Sequence, residues 1–231
     1  PKRVLSLWNI TENQMSANLI RHRIFDVLRN DIISCGLQPG EELREVALAE
    51  KYGVSKSPIR DALQRLEFEG LVEIAPRQGH RITPISINDA HDILDLRETL
   101  ETAAVRHIAA DASNADLTSL DALRTADLSS LQEFARYNKN FHFKINELSG
   151  NRRHSDTMRN LMDNYERLCI VSLSSLHQEA KAMYEALDDH NKIIDALQSR
   201  NGRLAARLSA KHIKKSHVQV MRGLKNRPVV D

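Results

Sequence analysis

Three histidines in the second half of the chain are candidate metal ligands. His142, His190 and His212 each lie in a different predicted helix. Imidazoles that converge in the core of a helical bundle can bind a divalent transition metal and leave positions open for a further ligand. Asn138 lies four residues before His142, so the two side chains point the same way. The spacing alone does not show convergence, because an isolated helical histidine is more often a core residue than a ligand.

A segment nearer the N-terminus has the residues expected of a nucleic-acid contact. It reads Ser55-Lys56-Ser57-Pro58-Ile59-Arg60 and starts a predicted helix. Lys56 and Arg60 are four residues apart and share a face, from which either could donate to a guanine edge or to a phosphate. Ser55 and Ser57 could donate to phosphates beside the helix N-terminus. The alternative is an ordinary solvated face, which is the usual role of a charged pair on an amphipathic helix.

Residues outside this helix complete the candidate DNA contacts. Arg44 opens the preceding predicted helix and could reach the backbone of the duplex. A turn that contains Arg77, Gln78, Gly79 and His80 joins two short predicted strands. Gly79 lacks a side chain that would block close approach, and Arg77 could extend into the minor groove.

Apolar periodicity and turn residues predict the elements that position these side chains. In the first 84 residues they predict helices over about 16–35, 44–51 and 56–69, and strands over 71–74 and 80–84. Gly53 separates the second helix from the third, and Ser55 is a suitable N-cap for the third. Two helices joined by a tight turn and followed by a two-stranded ribbon form a winged helix-turn-helix. Residues 1–12 are predicted to be a loose arm.

The pattern is purely helical from Ser86 onward, where Asp89 lies at capping-box spacing. Short polar breaks divide residues 85–231 into roughly six helices, which predicts an antiparallel bundle. The predicted fold class is therefore mainly α. A winged helix-turn-helix domain over residues 1–84 is followed by an all-α antiparallel helical bundle over residues 85–231.

Composition narrows the class of protein. The chain of 231 residues is 41% hydrophobic and 28% charged, and it has no apolar run long enough to span a membrane. Secretion is not expected, because the given sequence does not open with a charged and then apolar segment. Aromatic residues make up only 4%, which argues against a β-sandwich or barrel. Two cysteines, Cys35 and Cys169, suit a reducing cytosol, so a cytoplasmic protein is expected. Because the net charge is only +2, any charge that binds DNA must be local.

The N-terminal segment resembles the DNA-binding domain of GntR-family bacterial transcription regulators. The resemblance lies in Pro39-Gly40, Leu43-Arg44-Glu45, Tyr52-Gly53-Val54-Ser55-Lys56-Ser57-Pro58-Ile59-Arg60-Asp61-Ala62-Leu63 and Gly70-Leu71-Val72. The family usually has arginine at the second position of the recognition helix, where this chain has Lys56. Lysine lacks the planar two-pronged donor of arginine, so Lys56 could contact phosphate instead of reading a base.

The helical region resembles the FadR-type effector domain, the FCD class, whose opening signature is similar to Arg97-Glu98-Thr99-Leu100-Glu101. The resemblance implies a metal site of one aspartate and three histidines, and Asn138, His142, His190 and His212 fall on those positions. The neutral amide of Asn138 should bind a metal more weakly than the usual carboxylate. Two readings follow. Either the histidines still hold a divalent transition metal, zinc or nickel, whose full charge favours an anionic effector, or polar residues bind the effector without metal.

Arg97 is the candidate for holding an effector carboxylate, because its guanidinium matches carboxylate geometry. A salt bridge to Glu101 or to Asp163 is the structural alternative. Asn138 is a further candidate for contacting the effector, and Asn164 and Tyr165, on the long fourth helix of the bundle, are candidates for lining the same cavity.

These observations predict a ligand-responsive transcription regulator, a repressor by the family's common mode, that binds a palindromic operator as a homodimer. Its bundle is predicted to sense a small organic acid. It is not expected to be an enzyme, because no general base, Ser-His-Asp order or glycine-rich phosphate loop accompanies the histidines. Two alternatives stay open: a metal-dependent, hydrolase-like enzyme, and a DNA-binding protein whose bundle only dimerises.

Overall fold

The computed structural model describes residues 4–75, 79–176 and 179–225. The chain divides between Pro84 and Ile85 into two compact units. Among the described residues, none of the helices combines the length and the apolarity that crossing a bilayer requires.

The first unit contains three helices and a small antiparallel sheet. The helices are α1 (Val4–Ile33), α2 (Glu45–Tyr52) and α3 (Lys56–Phe68), and the strands are β1 (Glu42–Leu43), β2 (Val72–Ala75) and β3 (Gly79–Ile82). The sheet has the order β1-β3-β2, with Leu43 opposite His80 and Val72 opposite Ile82. The predicted winged helix-turn-helix is confirmed, and the two-residue strand β1 is an addition that the sequence pattern did not indicate.

The first helix is longer than predicted. It begins at Val4, so residues 4–12 are helical and do not form a loose arm, while residues 1–3 lie outside the described residues. The segment from Val4 to Ile33 contains neither proline nor glycine, so no residue in it interrupts the backbone hydrogen bonds of a helix.

The core of the first unit lies between α1, α3 and the sheet. Ile59, Leu63 and Leu66 of α3 are fully buried, and Ala62 is 1% exposed. They belong to one cluster with Leu28 and Ile32 of α1. The turn that separates α2 from α3 requires a left-handed residue, and Gly53 supplies it with φ 65°. This packing fixes α3 by one face and leaves its opposite face open.

The second unit is helical throughout its described residues. Its helices are α4 (Ile87–Asp111), α5 (Asn114–Ser119), the 3-10 helix Leu120–Leu123, α6 (Leu131–Leu148), α7 (Arg152–Leu173), α8 (Glu179–Gln198) and α9 (Gly202–Leu224). Side chains cap several N-termini at the predicted polar breaks. The Ser86 hydroxyl accepts from the Asp89 N–H, and Asn201 does the same for Leu204. The most extensive contacts between the helices of this unit are those of α4 with α9 and of α6 with α7.

The contact between α7 and α9 depends on a glycine near the end of α9. A Cβ atom added to Gly223 would lie 2.2 Å from the carbonyl oxygen of Ser172. The Ser175 hydroxyl donates to the Gly223 carbonyl at 2.7 Å, which ties the ends of the two helices together.

We expect Gly223→Ala to lower the free energy of unfolding by about 1–3 kcal/mol, because the new methyl group must push α7 and α9 apart. This loss would run against helix propensity, which favours alanine over glycine. Urea unfolding followed by circular dichroism measures it. The control is Arg222→Ala, a change at the exposed neighbouring residue. Equal stability of the Gly223→Ala variant and the natural chain would contradict this account of the helix contact.

Candidate metal centre and nucleic-acid interface

The three candidate histidines lie together in the interior of the second unit. His142 comes from α6, His190 from α8 and His212 from α9, and all three side chains are at most 2% exposed. One ring nitrogen of each lies within 4.8 Å of the others. The Nε2 atoms of His190 and His212 are 3.2 Å apart. The structure therefore brings together three imidazoles that are far apart in sequence.

The carboxylate of Glu101 orients His142 by contacting its Nδ1, the ring nitrogen opposite Nε2. Its Nδ1 lies 2.8 Å from an oxygen of Glu101, while the other Glu101 oxygen accepts from the Nε of Arg97 at 2.7 Å. Both oxygens of Glu101 therefore accept, as those of a carboxylate do. Since Nδ1 must carry the proton in this arrangement, the Nε2 of His142 has a free lone pair.

The other two histidines are oriented in the same sense. The Nδ1 of His190 lies 3.1 Å from the hydroxyl of Tyr137, whose own proton goes to the carbonyl oxygen of Leu123 at 2.9 Å. Tyr137 is therefore an acceptor for His190. The Nδ1 of His212 lies 3.6 Å from a carboxylate oxygen of Asp189. For His142 and His190 the acceptor fixes the proton on Nδ1 and turns Nε2 toward the shared centre, an arrangement typical of the residues that surround metal ligands. The longer contact with Asp189 places a negative charge beside the Nδ1 of His212 without a hydrogen bond.

The three imidazoles are neutral near pH 7. Burial lowers the pKa of His142 and of His190 well below the ordinary value of 6.5. Burial also lowers the pKa of His212, although Asp189 opposes the shift. Three lone pairs that converge without protons between them repel one another unless a cation is present. The donor set therefore fits a divalent transition metal, for which imidazole nitrogen is a preferred ligand.

Arg97 reaches the same centre from α4. Its side chain is fully buried, and one of its terminal nitrogens, Nη2, donates to the Nε2 of His142 and lies 3.5 Å from the Nε2 of His212. The guanidinium lies 4.3 Å from the centre of the Tyr165 ring. The predicted salt bridge to Glu101 is present. Asp163, the other predicted partner, instead pairs with Lys139 at 3.2 Å.

A narrow cavity adjoins Arg97 through Tyr165. Its volume is about 20 Å³, and Asn138, Tyr165 and Ser216 are among the polar residues that line it. Asn138 is 3% exposed, so the predicted common face of Asn138 and His142 does point inward. Asn164 is not brought to this site. It is half-buried on α7, and its amide donates to the carbonyl of Asn160 at 3.4 Å.

Sequence reasoning missed most of the residues that orient the ligands. Side chains at adjacent helix positions point in different directions. Asp189 therefore does not contact its sequence neighbour His190 but lies against His212 of α9. Tyr137 gave no signal beyond lying five residues before His142. His154 is also buried, at 9% exposure.

The candidate DNA contacts of the first unit lie largely where predicted. Lys56 and Ser57 are exposed in the first turn of α3, and Ser55 occupies its N-cap without a side-chain capping bond. Arg44 is the N-cap residue of α2, and its side chain is 75% exposed. The prediction that Pro58 contacts DNA is wrong, because this residue is buried on the core face of α3 and its side chain is not available to DNA.

The wing is described only in part. Arg77 and Gln78 lie outside the described residues. Gly79 begins β3 with φ 96°, a conformation that side chains rarely adopt, and it is exposed. His80 is half-buried and pairs with Ile74 and Leu43 in the sheet.

Arg60 is engaged by a residue that the sequence did not indicate. Its Nε and Nη2 donate to the two oxygens of Glu45 at 3.1 and 2.8 Å. This hydrogen bonding lowers the pKa of Glu45. The Arg60 side chain is 59% exposed. An exposed pair of this kind is weak, so Glu45 positions the guanidinium without preventing its exchange to DNA.

Comparison with known proteins identifies the family. Residues 20–82 match the family of bacterial regulatory proteins called gntR, and residues 92–215 match the FCD domain. The chain belongs to the GntR family, with an FCD domain. Its members that resemble this chain include the HTH-type transcriptional repressor RspR of Escherichia coli K12, 26% identical over 84% of this chain and 86% of that protein. The repressor GlaR of the same organism is 28% identical over 80% of this chain and 89% of its own length.

Solved structures share the fold. A GntR regulator from Rhodococcus sp. RHA1 superposes with a TM-score of 0.76 at 21% identity, covering 87% of this chain and 97% of that one. The family and the named relatives are transcription regulators rather than enzymes. The hydrolase-like alternative for the three histidines therefore has no counterpart among them.

We expect Tyr137→Phe to weaken metal binding by about 10–100-fold, the usual effect of losing a partner behind a metal-bound histidine. The change removes only the oxygen that accepts from His190 and leaves a buried N–H unpaired. Competition of metal-loaded protein with a chelator measures the affinity. Tyr184→Phe is the matched control, since Tyr184 is 64% exposed. Unaltered affinity in the Tyr137→Phe variant would show that the hydroxyl does not orient the ligand.

Proposed function

We propose that this GntR regulator is a repressor that binds a palindromic operator as a homodimer and releases it in response to a small carboxylate. The observation that carries the sensing role is the convergence of three Nε2 lone pairs beside a buried arginine. We expect the protein to act in the bacterial cytoplasm, where the chromosome lies.

Exposed donors at the start of α3 support operator binding. Lys56, Ser57 and Arg60 face solvent at the helix end that enters the major groove in helix-turn-helix proteins. Gly79 leaves the start of β3 without a side chain. One short recognition helix supplies neither the affinity nor the specificity that an operator requires, so two copies reading two half-sites are expected. The names of RspR and GlaR favour repression over activation.

The chemistry of the histidine cluster supports a zinc or nickel centre. His142, His190 and His212 would supply three neutral nitrogen ligands, and imidazole suits both metals. Asn138 is neutral as well, so a bound divalent ion would keep its full charge and attract an anion to its open positions. A metal-free cluster that binds the effector through polar residues is the competing possibility. The repulsion between unprotonated lone pairs favours the metal.

Regulation requires that the carboxylate bind one arrangement of the DNA-binding units better than another. Arg97 belongs to α4, the helix with which the second unit begins. A carboxylate held by Arg97 and the metal would therefore act directly on this first helix. This link between effector and operator binding is part of the proposal.

We expect Arg60→Ala to weaken operator binding by about 1–3 kcal/mol, with relaxed preference at one base pair if Arg60 reads a base edge. Gel shifts on the operator, selected from genomic fragments, measure both effects. Arg152→Ala is the charge-matched control, because that side chain is 93% exposed in the second unit. A uniform loss across sequences with a shallower salt dependence would assign Arg60 to phosphate. Unaltered binding would remove it from the interface.

We expect protein purified without chelator to contain close to one equivalent of transition metal per chain, and His190→Ala to lose it, because one of three ligands is removed. Elemental analysis measures the metal. The control is His107→Ala, whose side chain is 68% exposed. Metal-free natural protein that still binds carboxylates would contradict the metal centre and support the competing possibility.

A further inference from the structure

We propose that Arg97 is a resident cation of the histidine cluster: in the metal-free protein it occupies the Nε2 lone pair of His142 and lies beside that of His212, and metal binding releases it to bind the carboxylate. This inference rests on the proposed metal centre and concerns how metal and effector depend on each other.

The competition follows from the number of lone pairs. Each Nδ1-protonated imidazole has a single lone pair, on Nε2. The lone pair of His142 accepts a hydrogen bond from Nη2 of Arg97, and the same nitrogen lies 3.5 Å from the Nε2 of His212. A metal–imidazole bond of about 2.0–2.1 Å uses the same lone pair in the same direction. His142 can therefore bind Arg97 or the metal, and not both.

The surroundings explain why a guanidinium is stable in this position. Arginine stays protonated in proteins, and Glu101 balances its charge at 2.7 Å. The Tyr165 ring lies against its face. Without Arg97, the lone pairs of the three histidines would face one another with no positive charge among them. Arg97 thus supplies in the metal-free state the charge that a metal would otherwise supply.

Displacement of Arg97 creates a binding site for a carboxylate. Nη1 of Arg97 is buried and has no hydrogen-bond partner among the described residues. A metal at His142 would leave Nη2 unpaired as well, while Nε keeps its bond to Glu101. Two buried, unpaired donors are unfavourable, and the two oxygens of a carboxylate match them. Tyr165, which touches Arg97, also lines the cavity beside Asn138. Metal and carboxylate should therefore bind cooperatively.

The first test uses metal alone. Removing Arg97 removes the competitor, so Arg97→Met should bind Zn²⁺ about ten-fold or more tightly than the natural chain, within the usual range of coupling between sites. Chelator competition at constant pH measures the affinity. Lys215→Met is the control for charge, because Lys215 lies 3.4 Å from the carboxylate of Asp189 without reaching an Nε2 atom. Its effect should stay below about five-fold, as for other solvent-screened pairs.

The second test measures coupling with acetate as the carboxylate probe. Acetate should tighten Zn²⁺ binding to the natural chain, relative to chloride at equal ionic strength, and should leave Zn²⁺ binding to Arg97→Met unaltered. If acetate acted only by coordinating the metal, the tightening would persist in the variant, and the inference would be overturned. Each variant must first unfold cooperatively on heating. Arg97→Gln replaces Arg97→Met in both tests if the methionine variant does not.

The outcomes separate this inference from the metal centre itself. Zn²⁺ binding to the natural chain that is equal to or tighter than binding to Arg97→Met would overturn the resident cation and leave the metal centre intact. Equal tightening in Lys215→Met and Arg97→Met would reduce the effect to general charge and overturn it as well. Binding to Arg97→Met but not to the natural chain would show the competition, but it would overturn both the release of Arg97 by metal and the resident metal of the proposed function. Absence of binding to both would overturn the metal centre and the inference together.

Discussion

Neutral imidazoles that all keep their protons on Nδ1 can share a small buried volume only if a positive charge or a hydrogen-bond donor lies where their lone pairs meet. In this protein Glu101 and Tyr137 hold the protons of His142 and His190 on Nδ1, and the carboxylate of Asp189 lies 3.6 Å from the Nδ1 of His212. Each ring then offers Nε2 to the same point. The guanidinium of Arg97 meets the requirement in the structure, and a divalent metal would meet it more strongly.

The helices of the second unit bring these side chains together at one place. Four helices, α4, α6, α8 and α9, each contribute one side chain to the cluster. The side chains keep their relative positions only if the four helices are held in fixed register. Capping side chains fix where several helices begin, and the glycine contact between α7 and α9 fixes the approach of two of them. A charged centre assembled this way is sensitive to small shifts of any one helix, which suits a sensor.

The residues of helix-forming segments and turns were sufficient to predict much of the fold. The start of α3 at Lys56 and the all-helical second unit follow from Gly53, from polar caps and from apolar spacing, which are local properties. The extent of α1 was missed because its first residues carry a weak pattern, although nothing in them breaks a helix. Pro58 was misjudged because residues in a first turn can face either the core or the solvent.

The sequence could predict the metal ligands of the candidate site, but it could not predict the residues that orient those ligands. His142, His190 and His212 could be named because a family resemblance supplied what spacing alone could not. Their partners lie on other helices or several residues away, as Asp189 does for His212, and no local pattern predicts a contact that packing creates. The prediction that Asn164 lines the cavity was wrong for the same reason. The rotation of α7 about its axis decides which of two neighbouring residues points inward.

The central claim is that three imidazole nitrogens form the first coordination shell of a resident metal. X-ray absorption at the metal edge, on protein purified without chelator, tests it most directly. The account predicts three imidazole nitrogens at about 2.0–2.1 Å with no sulfur neighbour. A shell with sulfur at about 2.3 Å, or one that lacks the outer scattering of imidazole rings, would contradict it.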